Sequence, residues 1–150
     1  MFFGRSEVKV LTQWHICHMI KEAKEVEKFT VIFYETKDTK PVEEFLESLQ
    51  TGLRAKMDGL LILLGEQGNM IRGPLSKHLR DGIFELRGQA GSDICRTLFF
   101  FYYGGLIVVT NGFVKKTQKT PNKEIELARK RRADFMERMS QHKLRKWCIK

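Results

Sequence analysis

Two runs rich in β-branched and aromatic residues, Ile94 to Tyr103 and Leu106 to Val114, are separated only by Gly104-Gly105. Glycine adopts the positive φ of tight turns at little steric cost, so a two-glycine gap between strand-forming runs reads as a hairpin. This hairpin limits what the rest of the chain can build around. Counting outward with Tyr103 opposite Leu106, Leu98 faces Asn111, Arg96 faces Phe113 and Ile94 faces Lys115. Directly opposed residues share a face, so Arg96, Asn111, Phe113 and Lys115 are expected at one end of one side.

The preceding segments supply the partners. Phe29 to Thr36 has strand composition. A turn over Lys37 to Lys40 leads to Pro41, which suits the first turn of a helix. Val42, Phe45, Leu46 and Leu49 follow helical spacing, and Thr51-Gly52 is expected to interrupt it. A second helix to about Glu66 buries Leu53, Met57, Leu60, Leu61 and Leu64, with Gly65 and Gly68 as its stop. A basic loop over Asn69 to Arg80 precedes a strand at Ile83 to Arg87. If Gly88 to Asp93 form the next loop, Arg87 faces Ile94 and Glu85 faces Arg96. Thr120-Pro121 reads as N-cap and first residue of a third helix, with Ile125, Ala128, Arg132, Phe135 and Met139 on one face. The order β-α-α-β-β-β-α predicts an α+β fold: an antiparallel sheet, a helical hairpin before the main strands, and a C-terminal helix. The main domain is expected over 29–139, with 1–28 an N-terminal extension and 140–150 a basic tail.

With 150 residues, 42% hydrophobic and 30% charged, the chain can close one globular core. No run of 18 apolar residues exists, so no membrane partner is expected. Cys17, Cys95 and Cys148 are scattered and odd in number, and no apolar leader core follows Met1, which together point to a reducing cytoplasm. The cluster His15-x-Cys17-His18 lacks a second ligand pair, so neither metal nor cofactor is expected.

The formal charge of +9 is localised. Residues 115–150 hold 13 of the 27 Lys/Arg and 4 of the 18 Asp/Glu, which accounts for the entire surplus. A basic segment on a neutral body suits a polyanion, either nucleic acid or an acidic protein; a solvated helix that aids solubility carries the same signature. A lone strand arginine is ordinarily exposed or paired with a carboxylate such as Glu85. Convergent Arg87, Arg96 and Lys115 from adjacent strands suit a phosphate instead, since arginine offers a planar fork and lysine a point charge.

Gly82-Ile-Phe-Glu-Leu-Arg87, Cys95-Arg96-Thr-Leu-Phe-Phe, and Asn111-Gly-Phe-Val-Lys-Lys-Thr-Gln-Lys-Thr-Pro121 followed by Glu124-Ile-Glu-Leu-Ala128 resemble the RelE/ParE toxin superfamily. The similarity covers roughly residues 29–139 and is nearest to the HigB-type, phage-derived branch. It implies a RelE-like toxin of a type II toxin–antitoxin pair. The expected activity is ribosome-dependent, metal-independent cleavage of mRNA, with ParE-like inhibition of gyrase or an inactive binding module as alternatives. The implied partners are a cognate antitoxin, expected to be a helix-turn-helix protein encoded nearby, and the ribosome with its mRNA.

By the same resemblance, Arg96 is the first candidate for phosphate stabilisation and Arg87 the second. Lys115 and Lys116 are candidates for charge stabilisation or proton donation, and His78 for proton shuttling. Lys77, Arg80, Lys119 and the run Arg129, Lys130, Arg131, Arg132 are candidates for gripping RNA or ribosome. The RelE pattern places a tyrosine soon after its final basic pair, whereas Thr117-Gln118 follow here; Tyr102 and Tyr103 are the possible substitutes.

Overall fold

The structure, a computed structural model, describes residues 28–71, 73–103, 105–115 and 119–148, with side chains to residue 142. The extension over 1–28 lies outside the described residues except for Lys28, as do His15, Cys17 and His18.

Five strands form one sheet in the order β1-β5-β4-β3-β2. They are β1 (Thr30–Phe33), β2 (Ser76–Arg80), β3 (Ile83–Ala90), β4 (Asp93–Tyr102) and β5 (Leu106–Lys115). The helices are α1 (Pro41–Glu47), α2 (Thr51–Gln67) and α3 (Asn122–Cys148). The α+β class and the C-terminal helix are as expected, and the architecture is consistent with a RelE-like fold.

Two expectations about the sheet need correction. It is mixed, not wholly antiparallel, because β1 pairs parallel with β5, Thr30 opposite Leu106 through Phe33 opposite Val109. β1 is buried on both faces, as parallel strands usually are, and its backbone satisfies the open edge of the hairpin's most apolar segment. The basic loop is also shorter than expected. Ser76–Arg80 forms β2, an edge strand whose single apolar residue, Leu79, left no alternating pattern to read.

The helical hairpin breaks at 48–50, so Gly52 lies inside the first turn of α2 and Gly65 within its last turns. Gly65 lets the strand approach: its carbonyl accepts the Phe29 N–H at 3.0 Å, and an added Cβ would touch Phe29 and Val31. Gly68, at φ +53°, is the cap that ends the helix.

α1 and α2 cover one face of the sheet. Val42, Leu46, Leu53, Met57, Leu60, Leu61 and Leu64 pack there on Leu86, Cys95, Phe99, Ile107 and Val109. Burial pushes the Cys95 thiol up to about 11, which marks it as a packing residue. The other face meets α3, where Ile125, Ala128, Phe135 and Met139 pack on Ile83, Leu98, Phe100 and Val108. Tyr34 fastens the end of β1 to α3: its hydroxyl donates to Asp134 Oδ2 at 2.6 Å, with the Arg131 and Arg138 guanidiniums over its ring.

The strand register explains the site. Tyr102 opposes Leu106, one position off the expected Tyr103, so three residues separate the paired positions. Thr110 is then bulged out between the pairs Phe99–Val109 and Leu98–Asn111. A bulge inserts one residue and reverses the alternation beyond it. The pairs Leu98–Asn111, Arg96–Phe113 and Ile94–Lys115 therefore occur as expected. Between β3 and β4 the register differs by two residues, with Arg87 opposite Arg96 and Glu85 opposite Leu98. The connection is Gly91-Ser92 in place of the longer loop. A shift of two preserves the face, so Glu85, Arg87, Arg96, Asn111 and Lys115 all lie on the α3 side.

Candidate functional site

Four consecutive strands each place a cation on this face. Lys77 on β2 opposes Glu85 on β3, Arg87 on β3 opposes Arg96 on β4, and Lys115 on β5 opposes Ile94. Lys77, Arg87, Arg96 and Lys115 line a groove of about 1020 Å³ at the end of the sheet. Lys56 of α2 also reaches it. Nothing in the sequence marked Lys56, which reads as part of a solvated helix face.

Beneath the cations sits one carboxylate. Glu85 is 1% exposed and Arg96 4%. Arg96 Nη1 donates to Glu85 Oε1 at 2.7 Å and Oε2 at 2.8 Å, and to Thr120 Oγ1 at 3.0 Å. The Thr120 hydroxyl donates to Glu85 Oε2, and Arg87 Nη2 to Oε1 at 3.2 Å. Burial raises the Glu85 carboxyl, but the bonds from Thr120 and Arg96, the Arg96 charge and the bond from Arg87 outweigh it and hold the group below the usual carboxylate value. Glu85 therefore stays ionised and fixes both guanidiniums. Thr120 serves this carboxylate instead of capping α3, which begins at Asn122 with Pro121 O accepting the Glu124 N–H.

Lys115 is 7% exposed. Burial, reinforced by the Arg96 charge and further by Arg87 and Lys77 against the attraction of Glu85, lowers its ammonium to about 8. An amine in that range exchanges protons near neutrality, which an ordinary lysine does not.

The remaining sequence candidates divide by position. Lys116 lies outside the described residues. His78 is not brought to the groove: its ring lies 4.9 Å from Phe84, edge-on, on the opposite face of the sheet. Tyr102 packs on Phe135 at the turn end of the hairpin and Tyr103 is exposed there, so neither lines the groove. Arg80 and Lys119 line a smaller neighbouring pocket, and Arg80 pairs with Glu126 at 2.9 Å.

Most of the basic run on α3 is engaged within the fold. Arg129 pairs with Glu126 and Asp81, and Arg132 donates to the Asp81 carbonyl. Arg131 is half-buried and donates to the Thr110 carbonyl, at the bulge, at 2.7 Å. Lys130 is exposed. Local charge counting separates only the Arg129–Glu126 pair, because the other acceptors, Asp81 between β2 and β3 and the Thr110 carbonyl on β5, are distant in sequence.

Among the described residues no helix is long and apolar enough to cross a membrane. A family model described as phage-derived protein, Gp49-like, matches residues 44–133, a span that contains Lys77, Glu85, Arg87, Arg96 and Lys115. No curated protein matches the chain.

Proposed function

Since the chain belongs to the Gp49-like family of phage-derived proteins, within the RelE/ParE-like toxin superfamily, we propose that it is the toxin of a type II toxin–antitoxin pair, of the HigB type, and cleaves mRNA on translating ribosomes in the cytoplasm. The observation that carries this reading is the convergence of Lys77, Arg87, Arg96 and Lys115 on one groove, with the Lys115 ammonium at about 8.

Transesterification of RNA needs a phosphate held in place, compensation for charge developing on the phosphorane, and a proton for the 5′ leaving oxygen. Arg87, at 36% exposure the most accessible guanidinium of the pair, presents its fork to the phosphate, with Lys77 beside it. Arg96 lies behind them and strengthens the positive field; Glu85 fixes its orientation before substrate arrives. The 2′-oxygen attacks phosphorus, its proton passing to water, and the P–O5′ bond breaks as Lys115 gives its proton to O5′. The products are a 2′,3′-cyclic phosphate and a 5′-hydroxyl. The partner that silences the groove is the cognate antitoxin, a helix-turn-helix protein with an acidic segment suited to these cations.

The test is addition of the purified protein to translating ribosomes, with transcript ends mapped. Wild-type protein is expected to cut, and Arg87→Ala to lose on the order of 10²–10³ in rate. Intact transcripts accompanied by gyrase-dependent DNA breaks would replace this reading with the gyrase-inhibitor one.

A further inference from the structure

A second pocket of about 280 Å³ adjoins the groove, between β2, β3 and the first turn of α3. Lys77, Arg80 and Lys119 line it together with the apolar Leu79 and Ile125, and Arg80 also pairs with Glu126 at 2.9 Å. Its one carboxylate, Glu85, has its charge matched by Arg96 and Arg87 and its oxygens engaged by Thr120, so the pocket is cationic. Lys77 and Arg96 line both this pocket and the groove, so the two share a wall. Its volume is at the low end of small-molecule sites, sufficient for one backbone unit and not for a whole nucleotide cofactor.

We propose that this pocket holds the phosphate next to the scissile one on the same RNA strand, so that two successive phosphodiesters are gripped across the shared Lys77–Arg96 wall. This rests on the groove being an RNA site. The lining cations meet the phosphate, and Leu79 and Ile125 meet the ribose face. A free inorganic anion would leave Leu79 and Ile125 without a partner surface, which favours a nucleic-acid backbone as the source of the phosphate.

The experiment titrates the full chain with 2′-O-methyl RNA, which cannot be cleaved, as a dinucleotide with one internucleotide phosphate and a trinucleotide with two. The trinucleotide is expected to bind roughly tenfold tighter, the scale of one charge-assisted contact. Its log affinity should fall more steeply with log salt, by about 0.7 in slope, for the extra phosphate. Lys119→Gln and, separately, Arg80→Gln should reduce the trinucleotide's advantage and its added salt slope. An equal affinity for both oligonucleotides overturns the proposal, as does an advantage that survives both substitutions. So does inorganic phosphate shifting the Lys119 and Asn122 amide resonances when the trinucleotide does not. Because nothing is cut, the outcome is separable from nuclease activity: a trinucleotide advantage with intact transcripts sustains the pocket and sinks only the cleavage reading. If neither oligonucleotide binds, the pocket proposal fails, whereas transcripts cut on translating ribosomes would still sustain the cleavage reading.

Discussion

Arg96 Nη1 lies 2.7 Å from Oε1 and 2.8 Å from Oε2 of Glu85, and both residues are almost wholly buried. A buried pair of this kind contributes little net stability when intact, because desolvation offsets the attraction, but removing one partner leaves an uncompensated charge in the interior. Arg96 therefore belongs to the foundation of the groove as much as to its chemistry. Its loss would disturb folding and activity together.

Arg96→Met or Glu85→Gln alone is expected to cost about 3–5 kcal/mol in urea unfolding, and the double variant clearly less than the sum. Additive losses would show that the two residues are not coupled.

The Glu85 carboxyl is held below its unfolded value, so the unfolded chain takes up the proton first as pH falls. Its stabilisation is present in full above the ordinary carboxylate range and is lost as pH drops through that range and below. Glu85→Gln should flatten the acid limb of stability against pH, measured by urea midpoints between neutral and strongly acidic buffers.

Lys115, at about 8 in the fold against 10.5 in solvent, predicts both an activity profile and a stability profile. As a proton donor it should let cleavage fall as pH rises past about 8. Lys115→Arg keeps the charge but should lose that limb and roughly 10²-fold in rate. For stability the sign runs the other way. Between about 8 and 10.5 the unfolded chain binds more protons, so the fold should gain stability as pH rises through that window. Lys115→Met should remove the gain.

Arg131→Gln is expected to cost about 1.5–3 kcal/mol, because its bond to the Thr110 carbonyl supports the bulge that orients Asn111, Phe113 and Lys115. Exposed Lys130→Gln should stay within about 0.5 kcal/mol. Thermal unfolding of the two variants side by side separates a structural arginine from a solvated lysine one position away.

Gly112 stands where Phe45 of α1 packs onto β5, and an added Cβ would press into that ring. Gly112→Ala should destabilise by about 1–3 kcal/mol, and Phe45→Leu in the same chain should recover part of it by vacating the contact. No recovery in the denaturation midpoint would place the strain elsewhere.

Elements with strong apolar spacing were legible from the residues alone. Leu53, Met57, Leu60, Leu61 and Leu64 form the buried side of α2, and Ile125, Ala128, Phe135 and Met139 that of α3, as their periodicity requires. The residues alone also put Arg87, Arg96 and Lys115 on one face, although both hairpin connections differ in length from the expected ones. Alternation along a strand has a period of two, so the two-residue shift between β3 and β4 leaves faces unchanged, and the Thr110 bulge cancels the extra turn residue between β4 and β5. Features without a local pattern emerged only on assembly of the fold. β2 carries one apolar residue, Leu79, too few for an alternating pattern, and becomes a strand because β3 offers it backbone partners. β1 runs parallel because it completes the edge of β5. Glu85, Arg96 and Thr120, distant in sequence, meet only when strands and the approach to α3 are assembled. Spacing encodes which side a residue faces; which charges are paired, buried and shifted depends on neighbours that folding alone brings together.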